Sequence, residues 1–343
     1  KPQTPNPKPR PPPTVSGGLN PRVEGLKRWR ASAIRRRSSW PVTCAAWASP
    51  RVGSPDKAGL AYTKLDLSAL QPEERLKRLP RSLASHVHLT AVDLSHNHLS
   101  ELDLLAGLPA LEELLLADNA VAALPAGEEG HFPRLRRLDL ARNRLAELPA
   151  LRLPALEWLC VAENEVRRVE GLEGLPRLAW LDLSRNALAD CARVRDCPAL
   201  HTLLLRHNRL RAPPPLAALP ALRRCNLRGN HIALLDAEGL AAPRLERLNL
   251  RGNRLDRREE LAKLAGLEGL CVLALRENPL WERDPRGCAF EAAAVLRRLC
   301  RVDKVEVDEA FLGEMRDWQE QRWREAGGVG EPEAESGEGD PAA

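Results

Sequence analysis

The chain has 343 residues, with one tyrosine, three phenylalanines and a formal net charge of +5 at pH 7. So few aromatic residues are untypical of the mixed core of a globular enzyme, and they favour a repetitive leucine core. The charge is segregated, because residues 1–57 contain twelve Lys/Arg and two acidic residues, whereas residues 327–343 contain five acidic residues and no basic one. The basic character therefore belongs to the N-terminal segment and not to the body of the chain.

The N-terminal segment, residues 1–57, is rich in proline and arginine, as in K-P-R-P-P-P at 8–13. A segment of this kind could contact nucleic acid, an anionic membrane or the acidic surface of tubulin. High charge and low apolar content are also typical of chain that cannot bury a core. We predict a disordered basic segment here and a disordered acidic tail at 327–343.

A repeated pattern runs through the middle of the chain. The stretch L-T-A-V-D-L-S-H-N-H-L at 89–99 recurs as L-x-x-L-x-L-x-x-N-x-L, and its asparagines are spaced 21 to 25 residues apart. Nine copies with a period near 22 residues are specific for a leucine-rich repeat solenoid of the α/β class. The asparagines of the pattern are Asn97, Asn119, Asn143, Asn164, Asn186, Asn208, Asn230, Asn253 and Asn278.

The residue types explain the repeat. Each L-x-L pair, such as Leu159 and Val161, should point inward from a short parallel strand, and stacking of repeats should build a continuous core. After each strand the chain must turn, which leaves backbone groups without partners in the sheet. An asparagine amide can both donate to and accept from such groups, so we predict a structural role for all nine asparagines.

The ends of the repeat array are predicted from the loss of the pattern. Residues 58–88 resemble a degenerate first repeat that caps the stack, and residues 89–280 form the solenoid. Proline at a fixed place after each repeat predicts short 3₁₀ or irregular turns on the convex side. Residues 281–326 should form a C-terminal cap with a helix, in which Phe311, Met315 and Trp318 share one face. We predict that this face binds protein.

The residues that flank the inward leucines should lie on the opposite side of the sheet, which we call the concave face. Trp158 and Trp180 occupy the same position in consecutive repeats and should be about 5 Å apart. Paired tryptophans beside arginine are typical of binding hot spots, and stacked like charges favour an acidic partner, although the arginines could also be ordinary solvated surface. The predicted docking residues on this face are Trp158, Trp180, Arg206, Arg224, Arg228, Arg247, Arg251 and Arg276.

Signals for chemistry are missing from the sequence. The eight cysteines include no C-x-x-C pair, and His86, His88, His96 and His98 have no spacing that would bring them together on a metal. Phosphate-binding loops and nucleophile elbows are also missing. We predict a protein with no catalytic residue, cofactor, metal or small-molecule substrate, with reduced thiols and no membrane span.

Several stretches resemble one family of repeat proteins. They are L-N-L-R-G-N-R-L-D-R-R-E-E-L-A-K-L-A-G-L at 248–267, R-E-N-P-L-W-E-R-D at 276–284 and L-R-R-L-C-R-V-D-K at 296–304, with weaker support from 59–67 and 89–102. Together they are similar to the leucine-rich repeat-containing protein 23 family. The resemblance implies a non-enzymatic component of the radial spoke, in the axoneme of motile cilia and sperm flagella, that binds other spoke proteins. The family usually begins with an acidic segment, whereas this chain begins with a basic one.

Two other hypotheses belong to different classes of protein. A phosphatase-regulating solenoid of 22-residue repeats would present more acidic and aromatic residues where this chain presents arginine. An RNA–protein scaffold of the spliceosome type is suggested by the arginines, but its solenoid is usually shorter and its bases need aromatic platforms. Nucleic acid is therefore the less favoured partner.

Overall fold

The computed structural model describes residues 63–68, 70–124 and 132–325. The predicted disordered segments at 1–57 and 327–343 lie outside the described residues. The strands of the described chain are short and recur once per repeat. They are β1 Lys64–Asp66, β2 Ala91–Asp93, β3 Glu113–Leu115, β4 Arg137–Asp139, β5 Glu147–Leu148, β6 Trp158–Cys160, β7 Arg168–Val169, β8 Trp180–Asp182, β9 Thr202–Leu204, β10 Arg224–Asn226, β11 Arg247–Asn249, β12 Val272–Ala274, β13 Arg301–Val302 and β14 Val305–Glu306.

Twelve of these strands form one sheet in the order β1-β2-β3-β4-β6-β8-β9-β10-β11-β12-β13-β14. Every pair is parallel up to β13, and β14 turns back antiparallel onto β13. The remaining strands, β5 and β7, pair with each other in parallel on the return side of two repeats. The long parallel sheet confirms the predicted leucine-rich repeat fold.

The return side is built from single turns of helix, as the prolines predicted. Pro109, Pro154, Pro176, Pro198, Pro220 and Pro243 each lie in a turn that leads toward the next strand. The 3₁₀-helices are Pro72–Glu74, Arg81–Ser85, Asp103–Gly107, Leu172–Gly174, Ala192–Asp196, Leu216–Ala218 and Lys263–Gly266. The α-helices are α1 Ala237–Leu240, α2 Glu259–Ala262, α3 Pro279–Arg283, α4 Pro285–Val295 and α5 Glu309–Glu325.

The core lies between the sheet and the return side and is made almost entirely of leucine. In the repeat that begins at Leu156, the fully buried side chains are Leu156, Leu159, Val161, Val166, Leu172 and Leu175. The same positions are buried in the neighbouring repeats, so the core is continuous along the stack. At about 25 cal/mol for each Å² of apolar surface, this burial is the main stabilising contribution to the fold.

The repeated position of asparagine in the pattern has a physical explanation. The Nδ2 group of Asn164 donates to the carbonyl oxygens of Val161 and Leu140 over 3.1 and 2.9 Å, and its Oδ1 accepts from the amide of Leu145 over 3.0 Å. One side chain thereby closes its own turn and binds the preceding repeat. Asn97, Asn119, Asn143, Asn186, Asn208, Asn230, Asn253 and Asn278 make the corresponding bonds in their repeats.

The residue before each asparagine has a left-handed backbone. Its φ lies between 54° and 69° in all nine repeats, at His96, Asp118, Arg142, Glu163, Arg185, His207, Gly229, Gly252 and Glu277. A single left-handed residue turns the chain away from the strand direction. The following asparagine side chain then points at the backbone groups of the turn. Glycine adopts this conformation without strain, which explains the R-G-N sequences at 228–230 and 251–253.

Both ends of the described stack are covered by chain that lacks the full pattern. At the N-terminal end, β1 pairs with β2, and Asn97 donates to the carbonyl oxygen of Leu67. At the C-terminal end, Trp281 on α3 is buried, and the carboxylate of Asp284, the residue before α4, accepts from the amide of Gly287. The helix α5 then packs on α4. The domain boundaries proposed from the sequence stay predictions.

Candidate functional site

The concave face carries a stack of three flat side chains from consecutive strands. The rings of Trp158 and Trp180 have their centroids 4.4 Å apart and their planes inclined by 6°. The guanidinium carbon of Arg137 lies over the other face of Trp158, 4.3 Å from its centroid. Glu113 on the preceding strand forms an ion pair with Arg137, with 3.4 Å between Glu113 Oε1 and Arg137 Nε.

The register of the sheet produces this stack. Arg137 on β4 pairs with Trp158 on β6, and Trp158 pairs with Trp180 on β8. Parallel strands in register place equivalent side chains about 5 Å apart, which is close to the preferred separation of stacked rings. Both indoles are half-buried, so each still has surface available to a ligand. The predicted tryptophan pair is therefore present in the structure, and Arg137 was missing from the prediction.

Beyond the tryptophans the same column becomes basic. Thr202 separates the stack from Arg224 and Arg247, which pair with each other in register and are both exposed. Neither Arg224 nor Arg247 forms an ion pair within the described chain, and the exposed Arg206 forms none there either. Three of the predicted docking arginines thus lie on the accessible surface, where an acidic group could reach them.

Two other predicted docking arginines are neutralised from within the chain. Glu277 lies between Arg228 and Arg251, with carboxylate oxygens 3.4 Å and 3.2 Å from the two guanidinium groups. Arg251 Nε is also 3.6 Å from Asp303, a carboxylate with only 1% of its side chain exposed. The arginine column is therefore a mixed network at this end, and Arg276, the last predicted member, is half-buried next to it.

A second column on the concave face is acidic and was not predicted. Asp139 and Asp182 lie on either side of Cys160, on the strands that carry the aromatic stack. Burial raises the pKa of Asp139, and burial together with the nearby Asp139 raises the pKa of Cys160 to about 12. A thiol with this pKa is protonated at neutral pH, so Cys160 is a structural residue and not a nucleophile.

The predicted binding residues of the C-terminal helix face the protein itself. Phe311 on α5 is buried, with its ring centroid 4.9 Å from that of Phe290 on α4, and Trp318 lies 5.5 Å from the same ring. Met315 packs against the same apolar cluster. The ion pair between Arg322 and Glu291, at 2.8 Å, joins the two helices further along. This face covers the end of the solenoid, and its role in partner binding stays a prediction.

The histidines of the first repeats are distributed over the surface. His96 Nδ1 is 2.8 Å from Asp118 Oδ2 in the next repeat, and both side chains are exposed. Three or more metal-ligating side chains do not converge anywhere in residues 63–68, 70–124 or 132–325. None of the helices in these ranges combines the length and the apolar character that crossing a bilayer requires.

Comparison with known sequences first establishes the class of protein. Residues 133–188 match the family model described as leucine rich repeat. Together with the parallel sheet, this match defines a leucine-rich repeat protein, a class that is typically a non-enzymatic scaffold for protein interaction. Among solved structures, a leucine-rich repeat protein of Leptospira interrogans is 23% identical with a TM-score of 0.60, over 69% of this chain and 59% of that one.

Curated relatives then identify the family. Leucine-rich repeat-containing protein 23 of Bos taurus is 32% identical over 258 residues, which cover 75% of this chain and 73% of the relative. The human protein of the same name is 33% identical, over 71% of this chain and 68% of that one. The chain belongs to the leucine-rich repeat-containing protein 23 family. A mouse relative, podocan-like protein 1, is 36% identical, but the chain spans only 27% of its length.

Proposed function

We propose that this chain is a radial spoke component of the axoneme in motile cilia and sperm flagella, where it binds neighbouring spoke proteins and keeps the spoke intact. Membership of the leucine-rich repeat-containing protein 23 family supports this proposal, because the alignment extends over about three quarters of the chain. The chemistry of a scaffold requires only a rigid surface with a few strong anchor points. Family membership carries the spoke assignment, and the stack of Arg137, Trp158 and Trp180 supports the choice of the concave face as the binding surface.

The stack suits a protein partner for physical reasons. Large flat side chains that are already ordered lose little conformational entropy when a partner binds, so more of the contact energy appears as affinity. Trp158 and Trp180 are held by their mutual stacking and by Arg137 before any partner arrives. A partner would cover their remaining exposed surface, where tryptophan and arginine typically supply most of the binding energy.

The charge of the neighbouring surface selects the partner. Arg206, Arg224 and Arg247 have no carboxylate partner within the described residues and lie on the same face, one to three strands beyond Trp180. An acidic segment with an apolar anchor would satisfy both features at once. Within the described residues, the concave face offers only the two indoles as stacking platforms, so the arginines suit an acidic protein better than single-stranded RNA.

The experiment that tests the proposal compares three tagged full-length chains in ciliated cells. The chains are the parent, the double variant Trp158→Ala/Trp180→Ala and the control Leu234→Ala, which removes an exposed apolar side chain that is 60% accessible. After detergent extraction, the parent and control should remain along the axoneme, and the double variant should be lost from it. Circular dichroism of the purified double variant should show that it is folded. A parent chain that is diffuse or nuclear would overturn the spoke assignment.

A companion measurement separates the RNA hypothesis. The purified parent chain is titrated with single-stranded RNA at low and physiological salt, since electrostatic RNA binding falls steeply as salt rises. Under the proposal, binding is weak at physiological salt and insensitive to loss of the two tryptophans. Tight binding that depends on Trp158 and Trp180 would replace the protein-scaffold proposal with an RNA scaffold.

A further inference from the structure

Two cysteines lie side by side near the C-terminal end of the sheet, apart from the tryptophan stack. Cys271 immediately precedes β12, and Cys300 immediately precedes β13. The amide of Cys300 donates to the carbonyl oxygen of Cys271 over 2.8 Å, so the residues are neighbours across adjacent strands. Their Sγ atoms are 2.6 Å apart. Neighbouring strands are about 4.8 Å apart, which is within the Cα separation that a disulfide spans.

Accessibility distinguishes this pair from the other thiols of the described chain. Cys300 is exposed and Cys271 is half-buried, whereas Cys160, Cys191, Cys197, Cys225 and Cys288 are buried. Burial raises the pKa of Cys197 and of Cys225 to about 12 and that of Cys288 to about 11. Because the thiolate is the reactive species, these buried thiols are inert, and the accessible pair is where thiol chemistry can occur.

We propose that Cys271 and Cys300 form a thiol–disulfide modification site whose co-reactant is a small-molecule disulfide of the glutathione type. The Cys300 thiolate attacks one sulfur of that disulfide, forms a mixed disulfide and releases one small thiol. The Cys271 thiolate then attacks Cys300 Sγ and displaces the second small thiol. The two protein thiols lose two electrons and two protons, and the small disulfide gains both as it becomes two thiols.

The bond would fasten the cap to the last repeat. The strand β13 pairs with β12 over only two residues, Val272 with Arg301 and Leu273 with Val302. The chain between the two cysteines contains α3 and α4, so the bond would close a loop that includes the first two helices of the C-terminal end. A crosslink across such a loop restricts the unfolded chain and therefore disfavours local opening of the cap.

The modification is tested by peptide mapping of the full-length chain. The hydrogen bond with Cys271 raises the pKa of the Cys300 thiol, so the exchange is run with oxidised glutathione in mildly alkaline buffer. Remaining thiols are alkylated, and the protein is digested with trypsin without reduction. Cys271 lies in the tryptic peptide 264–276 and Cys300 in the peptide 299–301, each with a single cysteine. The expected product is these two peptides joined, with Cys288 alkylated.

Matched variants and a second measurement keep the proposal falsifiable. Cys300→Ser and Cys271→Ser should each abolish the joined peptide, whereas Cys160→Ser should leave it unchanged. In the parent chain, oxidation should slow amide hydrogen exchange across residues 272–302 by about tenfold or more, and a reductant should reverse the effect. Recovery of both thiols in the alkylated form, or of glutathione on Cys300 without the joined peptide, would overturn the proposal.

Discussion

The indole rings of Trp158 and Trp180 are stacked nearly parallel, with 4.4 Å between their centroids, although the residues are 22 positions apart in the chain. The contact arises because equivalent positions of consecutive repeats lie side by side in the sheet, as Trp158 and Trp180 do. Two neighbouring repeats with tryptophan at this point therefore produce a preformed aromatic surface. Arg137 extends the surface by one further strand.

The first prediction concerns the energy of this stack. In a double-mutant cycle, Trp158→Ala and Trp180→Ala should couple by about 1 kcal/mol in the free energy of unfolding, because aromatic pairs contribute beyond their buried area. Urea denaturation followed by circular dichroism supplies the four values. The control cycle pairs Trp158→Ala with Arg224→Ala, three strands apart, and should show coupling near zero. Equal coupling in both cycles would contradict a direct stacking energy.

The second prediction concerns the asparagine ladder. Asn164→Ala removes the acceptor for the Leu145 amide and the donors to Leu140 and Val161, all in buried surroundings. Unsatisfied buried polar groups cost about 1–3 kcal/mol each, so the free energy of unfolding should fall by about 3 kcal/mol. The control Glu165→Ala changes an exposed neighbour and should fall within about 0.5 kcal/mol of the parent. If the free energy of unfolding of both variants equals that of the parent, the asparagine ladder does not stabilise the fold.

The third prediction separates two glycines that share a left-handed backbone. Gly252 has a φ of 64°, and the nearest atom to an added Cβ would be Glu277 Oε2 at 3.3 Å. Because this flexible side chain can move away, Gly252→Ala should cost only the conformational strain of about 1–2 kcal/mol. Gly171 has a φ of 69°, and its added Cβ would overlap the Cα of Ala150. Gly171→Ala should therefore cost about 3 kcal/mol or more, because the overlap adds an overpacking cost to the left-handed strain. Denaturant titrations measure the free energy of unfolding of both variants. A larger loss for Gly252→Ala than for Gly171→Ala would refute the close approach of the Gly171 and Ala150 segments.

The fourth prediction uses His207, which lies among the arginines of the concave face. Partial desolvation, followed by the charges of Arg185, Arg228 and Arg206, lowers its pKa below the ordinary value of 6.5, and Glu277 opposes the shift. Arg185→Gln should raise the pKa of His207, and Glu277→Gln should lower it further. Titration of the imidazole protons by NMR measures both changes, and Arg211→Gln is the control with an exposed arginine elsewhere. Shifts in the same direction for both charged variants would be inconsistent with this electrostatic cause.

The sign of the pH effect on stability follows from the same shift. A histidine whose pKa is lower in the folded state binds protons less readily than in the unfolded chain. The contribution of His207 to stability is therefore fully present above pH 6.5, and it is lost as the pH falls through the folded pKa. Arg185→Gln should reduce this loss of stability in acid. Denaturant midpoints of the parent and the variant, measured above pH 6.5 and below the folded pKa of His207, would show the difference.

The sequence by itself determined the fold and the positions within each repeat. The period of the asparagines, the inward leucines and the turn prolines depend on contacts within one repeat and its neighbour, which are short in sequence and recur nine times. The pairing of Trp158 with Trp180 followed from the same period. The apolar face of α5, with Phe311, Met315 and Trp318, was also visible in the sequence, whereas the surface that covers it was not.

Only the tertiary structure decided which side chains of different repeats meet. Glu277 reaches Arg228, 49 residues away, because two left-handed turns and a long guanidinium side chain bring their charges together across the sheet. Asp303, beyond the repeats, neutralises Arg251, and α4 covers Phe311. A repeat pattern specifies the column in which a residue lies. The ion pairs and ring contacts within the columns depend on side-chain conformations and on the cap, which the pattern does not encode.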